Sequence, residues 1–180
     1  PIAPAEVTRF HAVPDQKLAA GIVDIVPFET ANSDSLEHKS YAAAVAAELQ
    51  KLGLTQNVPG TTAGASVYEA KLRVKRTVIP VGRDGNPVSV GVGGSTGSFG
   101  SGVGLGIGID LSGKPKDIVL TELSVRLSRR ADTKVLWEGR ASTEAKEGSP
   151  AAQPGIAAAK LASALFEGFP GQSGETIRVK

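Results

Sequence analysis

The sequence predicts an α+β domain in two layers: an antiparallel, strongly twisted sheet with two helices packed on one face and a glycine-rich β-hairpin. Three observations carry this. Segments 66–79 and 118–129 alternate apolar and charged residues with period 2, the pattern of strands with one buried face. Segments 34–52 and 154–167 repeat apolar residues at helical spacing. Ten of the 22 glycines fall between Val88 and Gly113, where every second residue is apolar over 88–92 and again over 103–111.

Residues 5–13 read as a first strand, and Gly21–Phe28 as a second, stopped by Pro27 and the polar turn after it. Asp34 opens the first helix, with Glu37 three residues on in the capping-box position. Tyr41, Val45, Leu49 and Leu52 form its apolar stripe, and Gly53 ends it. In the strand Ser66–Ile79, Tyr68, Ala70, Leu72, Val74 and Val78 face one side; Glu69, Lys71, Arg73, Lys75 and Thr77 face the other. Arg83-Asp-Gly-Asn86 is a turn leading into the glycine-rich pair. Strand 118–129 directs Val119, Leu123, Val125 and Leu127 inward, then turns at Ala131-Asp-Thr133 into a strand over Val135–Thr143. The second helix, Pro154–Glu167, presents Ile156, Ala159, Ala162 and Phe166, and stops at Gly168 and Pro170. Glu175–Lys180 adds an edge strand. The core expected from these faces is Tyr41, Val45, Leu49, Leu72, Val74, Val125, Leu127, Trp137, Ile156 and Phe166.

Composition narrows the function classes. The 180 residues suit a single domain, 1–180, with no internal repeat and no dividing linker. A net charge of +2 is too small to imply nucleic acid unless it is concentrated. No stretch reaches the ~18 apolar residues of a membrane helix. The chain has no Cys, which rules out thiol chemistry, disulfides and Cys-ligated metal. It also has no Met, so the chain is read as processed or cut, with residues 1–4 expected to be the remnant of an N-terminal tether.

The candidate catalytic motifs lack their structural context. Gly93-Gly-Ser95-Thr-Gly97 matches a nucleophile elbow, but glycine and another strand follow Ser95 where a helix is required. The only histidines are His11 and His38, on a first strand and in a first helical turn. Gly108-Ile-Asp-Leu-Ser-Gly113-Lys114-Pro115 misses a phosphate-binding loop because Pro115 replaces the hydroxyl residue that would hold Mg²⁺. Two separated histidines and no calcium-loop spacing give no metal site, and no cofactor is expected. Asp24 and Asp110 interrupt apolar strands; each is a functional carboxylate or, more commonly, edge-strand protection.

Two surfaces remain. Lys71, Arg73, Lys75, Arg126, Arg130 and Arg140 share a sheet face with Glu69, Glu122, Glu138 and Glu144. That face reads as cross-strand ion pairs or as an anion-binding platform. It carries no aromatic residue by this parity, which argues against single-stranded nucleic acid, and Trp137 faces the core. The second surface is the glycine-rich hairpin. Val90, Val92, Phe99, Val103, Leu105, Ile107 and Ile109 form its apolar stripe, opposite nearly bare backbone. The stripe packs on the domain's own core, contacts another copy or an envelope partner, or inserts in a membrane. Phe99 as its single ring argues against the last.

Glu6-Val-Thr-Arg-Phe10, Leu49-Gln-Lys-Leu-Gly53, the glycine-rich mid-section and Lys134-Val-Leu-Trp-Glu-Gly-Arg140 together resemble a bacterial envelope lipoprotein family, the domain-of-unknown-function family DUF4136. The resemblance covers most of the chain. It implies a secreted precursor with a lipidated Cys just before the domain, held on the periplasmic side of a membrane by that lipid. It supplies no catalytic residues. The reading that follows is a non-catalytic binding or scaffolding module that self-associates through the hairpin. The alternatives are a small hydrolase using Ser95 or a carboxylate such as Asp24, and an anion-binding sheet face.

Overall fold

The long alternating segments become strands with the limits their sequence sets. The computed structural model describes residues 3–12, 18–29, 35–58, 60, 64–81 and 116–180. In order they form β1 (Ala5–His11), β2 (Gly21–Pro27), α1 (Leu36–Lys51), β3 (Leu54–Gln56), β4 (Ser66–Ile79), β5 (Ile118–Arg129), β6 (Val135–Lys146), a 3-10 turn (Pro150–Ala152), α2 (Pro154–Phe166) and β7 (Thr176–Val179).

The seven strands make one sheet in the order β3-β2-β4-β5-β6-β1-β7. It is mixed, which corrects the expected antiparallel sheet. β2 runs parallel to both β3 and β4, while the remaining pairs are antiparallel. The cause is α1. A helix of 16 residues spans about 24 Å, enough to return the chain to the end where β2 began. Gly21 therefore meets Leu54, and Ile22 meets Ser66, both near the starts of their strands.

Both helices pack on one face, touching each other and the strands beneath. The N-cap of α1 is Ser35, one residue later than expected; its hydroxyl accepts the His38 N–H at 2.9 Å. Asp34 lies outside the described residues. Gly53 follows the helix with φ +87°, a left-handed conformation that suits glycine. On α2 the buried residues are Ala157, Ala158, Leu161, Ala162, Ala164, Leu165 and Phe166. Ile156 is 42% exposed, a correction to the expected core, because alanines on both sides of this helix blur its apolar stripe. Val74 is only partly buried, as β4 there runs past the end of β2. The other expected core residues are buried.

A register shift at Leu127/Ser128 leaves Leu136 as an extra residue, so Leu136 and Trp137 are consecutive and both buried. Trp137 lies over Gly139, where an added Cβ would come within 2.6 Å of the indole and 2.8 Å of Leu165 Cδ1. Both neighbours are buried and cannot withdraw. Gly139→Ala is expected to cost about 1–3 kcal/mol in urea denaturation. Gly155→Ala, whose Cβ meets nothing within 4 Å, is expected to be neutral or to stabilise by up to ~1 kcal/mol.

Candidate functional site

Period-2 alternation along neighbouring strands sets charged residues in rows across the face that the helices leave uncovered. One row reads Thr8–Arg140–Ser124–Arg73, and the next Phe10–Glu138–Arg126–Lys71. Lys75 stands opposite Glu122. The basic residues expected here are thus brought together, with Arg130 just beyond the end of β5. Much of the face is paired. Arg126 Nε donates to Glu138 at 2.5 Å, Arg73 approaches Glu29 at 3.4 Å, and Lys71 approaches Glu69 at 3.8 Å. Arg140 is exposed, and its guanidinium has no hydrogen-bonding or carboxylate partner among the described residues.

Between these rows lies a groove of about 330 Å³. Its lining corrects the expectation of a face without aromatic rings. Phe10 is 51% exposed there, and the Phe28 ring lies 5.1 Å beneath the Arg126 guanidinium. Phe28 escaped the parity argument because it follows the last residue of β2, held beside β4 by its N–H on the Leu72 carbonyl at 2.9 Å. Phe10 faces outward because Ala5, Val7 and Arg9 take the inward positions of β1.

A second cavity, about 490 Å³, opens where α1 begins beside the β4 edge that β2 no longer covers. Ser35, Glu37 and His38 line it on one side, and Arg73 and Lys75 on the other. Burial lowers the pKa of His38, favouring the neutral ring. Tyr41 lies one turn along α1, its hydroxyl buried without a partner and its pKa raised to about 12 by burial and by nearby Glu37. His11 serves the fold: its Nε2 is 2.9 Å from the Gly171 carbonyl. Among the described residues no group of His, Asp and Glu is arranged to hold a metal ion. Val90, Val92, Phe99, Val103, Leu105, Ile107 and Ile109, together with Ser95, Asp110 and the 108–115 turn, lie outside the described residues.

The family described as "Domain of unknown function (DUF4136)" matches residues 8–171. The chain belongs to that family. It is also 32% identical to an uncharacterized protein of Zymomonas mobilis, over 98% of this chain and 80% of the relative. The fold is similar to that of PelC from Paraburkholderia phytofirmans, solved as a dodecamer in two crystal forms. One superposes with a TM-score of 0.52, at 12% identity, over 94% of this chain and 99% of that one. The other, a single-substitution variant of PelC, gives 0.50 at 12% identity, over 90% and 94%.

In this DUF4136 chain Asp24, the carboxylate that interrupts β2, is a clasp between strands. Its Oδ1 accepts from Asn57 Nδ2 at 2.7 Å and from Ser66 Oγ at 2.8 Å, and its Oδ2 pairs with Arg130. Those partners come from beyond β3, the start of β4 and the end of β5. Burial pushes the carboxyl pKa up, but the hydrogen bonds and the Arg130 charge outweigh it, and the net shift is downward. A depressed pKa contributes stability that is present above the unfolded value, about 3.9, and lost as pH falls through the folded one. Asp24→Asn is expected to cost about 1–2 kcal/mol at pH 7. The gap from wild type should persist down to about pH 4 and narrow only as pH falls further, through the depressed folded pKa, as followed by denaturant titration at pH 7 and at about pH 2.

Proposed function

We propose that this domain is a non-catalytic module of the bacterial cell envelope, tethered at its N-terminus on the periplasmic side, which scaffolds by associating with further copies of itself. The observation that carries the reading is the way the sheet is covered. Two helices already occupy its inner face, the place that the apolar stripe of 88–111 would need in order to pack on the domain's own core. An apolar stripe with bare backbone opposite it then suits a surface shared between copies. The dodecameric assembly of PelC, on a similar fold, supports the reading. No helix among the described residues is long and apolar enough to cross a membrane, which is compatible with attachment by a lipid.

The non-catalytic part is open to a direct test. A screen of generic ester substrates is expected to give no turnover that Ser95→Ala abolishes; such turnover would restore the hydrolase reading. For assembly, light scattering should find wild type as an oligomer and the Leu105→Lys, Ile107→Lys double variant as a monomer with an unchanged melting midpoint. A loss of several kcal/mol in the variant would instead mark the stripe as part of the protein's own core, since burying unpaired charge is that costly.

A further inference from the structure

Ser124 sits at the centre of three arginines drawn from three adjacent strands. Arg140 is its register partner on β6, Arg73 its partner on β4, and Arg126 follows two residues along β5 on the same face. Neighbouring strands lie about 4.8 Å apart, so the first two guanidinium stems rise on either side of a short hydroxyl residue. The third is held in place. Glu138 accepts its Nε–H at 2.5 Å, and the Phe28 ring lies 5.1 Å from its guanidinium carbon.

The charges around this point are unequally satisfied. Arg129, Arg130 and Arg178 are each paired with a carboxylate elsewhere. Arg140 is exposed and pairs with none among the described residues. The Arg73–Glu29 pair is 3.4 Å long, with both side chains 61% exposed, the kind of contact worth little in water and readily exchanged. Glu122, two residues before Ser124, stands opposite Lys75. An anion arriving over Ser124 therefore meets one unpaired guanidinium, one loosely paired, and one fixed by its carboxylate and ring.

We propose that the groove binds a phosphate monoester, its phosphoryl oxygens held by Arg140, Arg73 and Arg126 over the Ser124 hydroxyl. Donors approaching from three sides and from below match a tetrahedral oxyanion with several accepting oxygens; a planar carboxylate is satisfied by one bidentate arginine. The half-exposed ring of Phe10, next to Glu138 in the register, offers apolar surface to the group that carries the phosphate. Phosphate monoesters occur free in solution and as lipid headgroups, and the groove chemistry is the same for both.

The test is a titration of the full chain at fixed ionic strength with inorganic phosphate and with phenyl phosphate, followed by calorimetry. Phenyl phosphate should bind more tightly, and Phe10→Ala should remove that advantage while leaving inorganic phosphate unaffected. Arg140→Gln should weaken both by about tenfold or more, as expected for a charged hydrogen bond, and Lys134→Gln, an equal loss of charge in the β5–β6 turn, should change neither. Melting curves verify folding, and Arg73→Gln replaces Arg140→Gln should that variant not fold. Flotation with phosphatidic acid vesicles separates the sources: retention that Arg140→Gln abolishes identifies a lipid headgroup, and none identifies a soluble ester. Equal weakening by Arg140→Gln and Lys134→Gln, or no phenyl phosphate binding at tens of millimolar, overturns the proposal.

Discussion

The Trp137 indole lying across Gly139 fixes the placement of everything on the C-terminal side of the sheet. A ring can lie flat along a strand only where the next inward position has no side chain, and Gly139 provides that space. From there the indole stacks on Phe166 at 5.0 Å and meets Phe169 at 5.2 Å. Its N–H donates to the Pro170 carbonyl at 3.1 Å, so the one polar atom of the ring is satisfied by the segment it holds down. α2 therefore ends over β6, and the chain after it is directed back toward β1, where β7 pairs.

Arg9 completes this arrangement from the neighbouring strand. It occupies an inward position of β1, 3% exposed, and its Nη2 lies 3.4 Å from the Ala164 carbonyl. That carbonyl is among the last of α2, which lack partners within the helix, and a cation is favourable at a helix C-terminus. Burial lowers the pKa of the guanidinium and Glu167 works against it, yet an arginine stays charged under either influence. Gly171 passes so close that a Cβ there would touch Nη1 at 2.5 Å. The charge is thus enclosed by helix end, loop and strand, and its Nε remains without a partner.

Alternation made the long strands legible: the limits of β4 and β5 and the outward row Lys71, Arg73, Lys75 follow from period 2 alone. What alternation does not carry is strand direction. β2, α1 and β4 were each readable, but their parallel relation depends on the length of the helix between them. The three-residue β3 is too short to show any period. Ile156 was misplaced because an alanine-rich helix has little contrast between its sides. The candidate groove was half legible. Its arginines follow from parity, whereas Phe28 lies past a strand end and Phe10 belongs to a strand in which polarity and direction disagree. The signal was present in Val7, since period 2 from a buried valine sends Arg9 inward and Phe10 outward, against the habit of both residue types.

That inversion on β1 connects the two faces of the sheet. Had Arg9 and Phe10 taken their ordinary sides, the end of α2 would lose its buried cation and the outer groove would lose its exposed ring. One register, set by Ala5 and Val7 against β6, places both. A slip by a single residue would reverse them together, because neighbouring side chains on a strand point to opposite faces. The same applies to β6, where Gly139 must face inward beneath Trp137 for Glu138 and Arg140 to face the groove. The packing that seats α2 and the chemistry of the open face are therefore specified by the same residue-to-residue alternation, and neither can change register without the other.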